Sequence, residues 1–161
     1  MYNECCNCKQ CCNFTVEDLW DLPKFTEEDM KIISIKYNNI VMQKQNTTYV
    51  PKIIVHSSEY KYCPFLVDDI GCILNENKPI DCALWPFYIM RQGNQLMLVQ
   101  DLSCHVLRDI TKKQVYENLR DKLSMIIKIY LLNPDYIQPY NNKFKIWKTW
   151  RLENNENRNC I

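Results

Sequence analysis

Residues 5–12 read Cys5-Cys6-Asn7-Cys8-Lys9-Gln10-Cys11-Cys12, and five of these eight positions are cysteine. Such a stretch has almost nothing apolar to bury, so it is expected to be a loop organised by whatever its thiols bind. Cys5, Cys8 and Cys11 follow the spacing C-x2-C-x2-C. Two-residue spacers let neighbouring thiolates converge on one soft metal while backbone amides turn toward the sulfurs. Cys11 and Cys12 are adjacent, and adjacent side chains diverge on a regular backbone. Their joint use requires a sharp bend or two nearby centres.

Further along lie Cys63 in Tyr62-Cys63-Pro64-Phe65-Leu66, Cys72 in Gly71-Cys72-Ile73-Leu74, Cys82 in Pro79-Ile80-Asp81-Cys82, and Cys104 in Leu102-Ser103-Cys104-His105. If 68–71 formed a simple four-residue turn, Cys72 would face Val67. Cys63 would then stand about 13 Å away at strand rise. Sharing one metal therefore predicts irregular backbone around Cys63-Pro64. Pro64, Pro79 and Pro86 flank these cysteines and suit such loops.

The chain has 161 residues and ten cysteines. The opening residues show neither the basic nor the apolar stretch of a secretory signal, so a reducing, cytoplasmic location is expected. There, metal ligation or redox chemistry is a better reading of the thiols than disulfides. With 20 Lys and Arg against 19 Asp and Glu, no broad positive field exists to attract nucleic acid. No apolar run approaches the roughly 20 residues of a membrane span. At 47% hydrophobic and 24% charged, the composition is that of a globular domain able to bury a core of its own.

The order of these motifs, C-x2-C-x2-CC, then CPFL, GCIL, KP-x2-C-x2-WP and a last cysteine, resembles the YkgJ-type cysteine-cluster family, described as a zinc- or iron-chelating domain. The resemblance covers about residues 5–104. It implies that Cys5, Cys8, Cys11, Cys12, Cys63, Cys72, Cys82 and Cys104 are the metal ligands, with Cys6 and Cys160 outside the set. Lys78 and Ala83 stand where the family tends to have arginine, and His105-Val106 where it tends to have Pro-Gly. The triplet also resembles the ligand run of bacterial ferredoxins, in which a distant Cys-Pro completes ligation; Cys63-Pro64 fits that role. A four-iron, four-sulfide cluster is therefore the first expectation for the cofactor, and zinc the alternative.

Two functions stay open. One is an iron–sulfur protein that modifies a protein or small molecule by group or electron transfer, either a transferase of methylase type or a redox protein. The other is a zinc-binding structural or interaction module without catalysis. The partner is an unspecified protein or small-molecule substrate, not a membrane.

The expected fold is α+β: one small domain over 1–152, with a few helices and short antiparallel strands gathering cysteine-rich loops around a metal centre, and a polar tail over 153–161. Thr15 and Thr26, each followed by an acid three residues on, predict two short helices. Strands are expected at 40–42, 52–56 and 65–67, and a hairpin at 87–90 and 96–99 around a turn at 91–95. A helix is expected from the capping box at Thr111 and Gln114, with Val115, Leu119, Leu123, Ile126, Ile127 and Tyr130 on one face, ending at Asn133-Pro134. Phe144, Ile146, Trp147 and Trp150 form a last amphipathic segment. His105 is a secondary candidate ligand, His56 a surface residue, and Asp81 and Asp101 solvated loop acids or partners of the ligand shell. Trp85, Phe87, Tyr88, Trp147 and Trp150 are expected to pack the core or shield the centre.

Overall fold

The structure is a computed structural model; residues 8–56, 59–104, 106–107, 109–120 and 122–152 are described. It is a small α+β domain in which most strands pair antiparallel. The tail predicted over 153–161 lies outside the described residues.

The main sheet holds β7 (Phe87–Gln92), β8 (Gln95–Gln100), β9 (Gln138–Pro139) and β10 (Lys145–Arg151), in the order β10-β8-β7-β9. The predicted hairpin is present and longer than expected, because its turn shrinks to Gly93 and Asn94. Gly93, at φ 55°, supplies the left-handed conformation that such a tight turn needs. The β7–β9 pairing is parallel, a departure from the all-antiparallel expectation. Both faces of the hairpin are covered, which explains its unbroken apolar runs. Phe87, Ile89, Leu96 and Leu98 point into one core with Val115, Leu119, Ile126 and Tyr130. Tyr88, Met90, Met97 and Val99 point the other way, against Trp85, Tyr140 and Phe144.

α1 (Glu27–Lys36) opens with a complete capping box from Thr26 and Asp29. Thr15 and Asp18 form the same box, yet Val16–Asp21 winds as a 3-10 helix. A six-residue segment halted by Pro23 has no room for more than the tighter turn. α2 (Ile80–Leu84) is short. The long helix predicted from residue 111 is two helices, α3 (Lys112–Leu119) and α4 (Leu123–Leu132), with Lys122 N–H turning back to the Leu119 carbonyl at 3.0 Å. Both halves pack on the first core, so the break follows the core surface rather than any gap in the apolar stripe.

The cysteine-bearing half has its own core of Phe14, Leu22, Phe25, Ile33, Val50, Phe65 and Leu74. Over it lie β2 (Met42–Gln45) and β3 (Thr48–Pro51), joined at Asn46-Thr47. The strand predicted at 52–56 is absent, and pairing runs instead through 48–51. Asn46 takes φ 46°, a turn conformation Asn tolerates, and thereby fixes this earlier register. Asp135 clamps the turn to the rest of the domain, accepting from Thr47 N–H at 3.0 Å, Thr47 Oγ1 at 3.0 Å and Asn46 Nδ2 at 3.1 Å. Tyr136 Oη donates to the Lys24 carbonyl at 2.6 Å, a second tie between the halves.

Candidate metal centre

Local backbone structure brings distant cysteines together. Lys9 adopts φ 53°, and the 3-10 turn Gln10–Cys12 follows at once. This is the sharp bend that the Cys11-Cys12 pair demanded: their sulfurs lie 4.0 Å apart. A tetrahedral ion with metal–sulfur bonds of 2.3 Å has sulfur–sulfur edges of about 3.8 Å. The pair therefore matches one edge of such a site.

The strand β1 (Asn13–Phe14) pairs antiparallel with β4 (Lys61–Tyr62). Beyond the ladder, Cys63 N–H donates to the Cys12 carbonyl at 2.7 Å, which holds the Cys63-Pro64 loop against the turn. β5 (Leu66–Val67) pairs with β6 (Gly71–Cys72) in a register that places Cys72 opposite Leu66. The sequence-based turn was one residue too long. Leu66 N–H returns to the Cys63 carbonyl at 2.9 Å, and Ile73 N–H reaches the Phe65 carbonyl at 2.9 Å. The irregular backbone expected at Cys63-Pro64 is thus present.

Cys82 sits within α2, whose position is fixed by Asp81. That carboxylate accepts Lys24 N–H at 2.9 Å and Cys82 N–H at 2.9 Å. Asp81 is therefore no solvated loop acid but a backbone organiser beside a cysteine. Burial pushes its carboxyl up to about 6. Asp101 accepts Ser103 N–H at 2.7 Å and shapes the approach to Cys104.

Electrostatics groups the thiols. The Cys63 thiol is pushed up to about 12, first by burial, with Cys72 and Cys11 adding to the rise. Cys82 is raised by burial, then by Asp81, Cys63, Cys11 and Cys72. Cys11 is raised by its contact with Cys12 and then by burial. Cys63 and Cys82 thus both feel the charge of Cys11 and Cys72, and Cys11 touches Cys12. A cation entering there would favour the thiolate forms and expel their protons.

The remaining expected ligands are placed differently. Cys104 is buried after β8 and is not tied to this group by the interactions above. Cys8 is half-buried just before the turn. Cys5, Cys6, Cys160 and His105 lie outside the described residues. Among the described residues, no three Cys, His, Asp or Glu side chains form a ready-made metal-binding group. What the chain offers is a pair of soft donors, the Cys11 and Cys12 sulfurs at 4.0 Å, the donor type that thiophilic metals take.

The aromatic expectation holds. Trp147 Nε1 donates to Gln100 Oε1 at 2.9 Å, Trp150 packs on the first core, and Trp85 meets Tyr88 edge-on. His56 is exposed. Two residues near the site escaped sequence reasoning. Asp21 accepts Tyr88 Oη at 2.8 Å and is raised to about 7 by burial. Lys24, 9% exposed, turns its ammonium onto the Trp20 carbonyl at 2.7 Å. The one clue was Lys24's position between Pro23 and Phe25 in an otherwise apolar run.

No family model matches the chain, and no curated protein or solved structure matches it significantly. The likeness to the cysteine-cluster family rests on the motif residues alone. Among the described residues, no helix is long and apolar enough to cross a membrane.

Proposed function

We propose that this chain is a cysteine-ligated metal protein of the cytoplasm, holding an iron–sulfur centre of the four-iron type, and that it serves group or electron transfer to a protein or small-molecule partner. The observation that favours the reading is the Cys63-Pro64 loop held on the Cys11-Cys12 turn by Cys63 N–H donating to the Cys12 carbonyl at 2.7 Å, with Cys63 and Cys82 both within the field of Cys11 and Cys72. Chance placement of four cysteines does not call for a left-handed Lys9, a Cys63 N–H held on the Cys12 carbonyl, and a carboxylate steadying the helix of Cys82. The ferredoxin-like triplet ending at Cys11 favours iron and sulfide. Such a centre supplies an electron or an open iron position; the chain supplies thiolates and a wall that keeps water off them.

A second reading has one observation in its favour. Cys11 and Cys12, at 4.0 Å, suit a single tetrahedral ion, and zinc closed by four thiolates would stabilise the domain without chemistry. Substitution tests the ligand set: Cys11→Ser, Cys63→Ser and Cys82→Ser each lose the bound metal, whereas Cys6→Ser and Cys160→Ser keep it. Equal retention in all five variants overturns the proposal.

A further inference from the structure

On the sheet face that carries Tyr88 and Met90, away from α3 and α4, a cleft of about 890 Å³ opens between the 3-10 helix Val16–Asp21 and the turn at 140–144. Two kinds of group line it. Trp20, Tyr140 and Phe144 give aromatic surface, and Trp20 is 38% exposed, high for so large a ring. Tyr88 fixes these rings from behind, its centroid 5.7 Å from Trp20 and 5.6 Å from Phe144.

Glu17, Asp18 and Asp101 add three carboxylates, opposed by Lys143 as the one cation of the lining. None of the three forms an ion pair among the described residues. Asp18 accepts the Thr15 hydroxyl at 2.7 Å and Asp101 the Ser103 N–H at 2.7 Å, both neutral donors, so within the lining Lys143 alone opposes three carboxylates.

Ring faces present negative potential, and a cation lying on one is attracted. Carboxylates at the same wall add attraction for that cation and repel anions. A neutral ligand would gain nothing from the acids, and a bare inorganic ion would gain little from three rings. We propose that this cleft binds a small organic cation bearing an ammonium group, either a polyamine or a quaternary amine. Of the lining residues only Asp101 lies near an expected ligand, Cys104, and the test reads ligand binding rather than metal content.

The experiment is a titration of the reduced full chain with spermidine, with choline, and with 3,3-dimethylbutanol, the neutral shape-mimic of choline, followed by ligand-observed NMR. Saturable binding of at least one ammonium probe is expected below about 10 mM, with none for the alcohol. Preference for spermidine assigns a polyamine; preference for choline assigns a quaternary amine. Glu17→Gln and Trp20→Leu are each expected to weaken binding about 3- to 10-fold. Glu76→Gln, placed away from the cleft, leaves it unchanged. Near-ultraviolet circular dichroism shows that each variant is folded. Absence of saturation with both ammonium probes, equal binding of the alcohol, or full affinity in both folded cleft variants overturns the proposal.

Discussion

Replacing Phe65 with Ala tests whether the cysteine-bearing half folds around its own core. Phe65 is 0% exposed, two residues from Cys63, with its ring 5.4 Å from Phe25 and edge-on to Tyr37 at 5.6 Å. A phenyl ring buries about 150–250 Å², which at about 25 cal/mol per Å² is worth about 4–6 kcal/mol. Truncations to alanine at such sites cost about 3–5 kcal/mol, the surroundings relaxing in part. The Phe65 carbonyl keeps its bond from Ile73 N–H in the variant, so the loss reports packing alone. Urea unfolding of reduced, chelator-stripped protein, followed by tryptophan fluorescence and far-ultraviolet circular dichroism, should show a loss of about 4 kcal/mol for Phe65→Ala. Phe65→Leu, which refills much of the space, should lose about 1–2 kcal/mol. A loss under about 1 kcal/mol for the alanine variant refutes the packed core. A cooperative transition seen only in metal-loaded protein refutes the independence of the fold from its centre.

Asp135→Ala should destabilise by about 1–2 kcal/mol at neutral pH, because the Asn46-Thr47 turn loses a shared acceptor. Partial burial pushes the Asp135 carboxyl up, but the donors from Thr47, Asn46 and Thr48 outweigh it and hold it below its usual value. Its contribution is present above about pH 4 and fades as pH falls through the folded value, so urea curves of variant and wild type should converge in acid. Asp21 has the opposite sign: raised to about 7 by burial, it takes up a proton on folding, favouring stability below about pH 4 and losing it as pH rises through 7. Asp21→Asn should therefore gain on the order of 1–3 kcal/mol at pH 8, shrinking toward pH 4; a constant difference across that range contradicts the burial argument. Tyr130 Oη is buried without a hydrogen-bond partner among the described residues. Tyr130→Phe should hold or raise the unfolding free energy, by up to about 1 kcal/mol, and a clear loss in urea unfolding would reveal a partner.

Local signals were the legible ones. The capping boxes at Thr15, Thr26 and Thr111 open their elements as read, because a side chain three residues from its partner needs no tertiary help. The β7–β8 hairpin was legible for the same reason, its strands being neighbours in sequence. What failed depended on distant contacts. The 111–132 stripe is continuous in sequence, yet it forms two helices, one ending at Leu119 and the next starting at Leu123, both packed on the core. The strand at 48–51 displaced the one expected at 52–56 because Asn46 sets the turn and Asp135 anchors it from 89 residues away. At the site, cysteine spacing indicated which thiols belong to motifs and required a bend at Cys11-Cys12 and an irregular loop at Cys63. Asp21 and Lys24 stayed hidden, since single charges in a short, mostly apolar run show neither partner nor burial. Their role arises only when Tyr88 and Asp81 fold over them.

Metal and acid-labile sulfide analysis of the chain isolated without oxygen tests the central claim most directly. The account predicts iron and sulfide in near-equal amounts, about four of each per chain, lost together in Cys11→Ser and Cys82→Ser. Zinc without sulfide, lost in the same variants, would select the structural reading. A chain free of metal and sulfide, with its cysteines all titrating as thiols, would contradict the account.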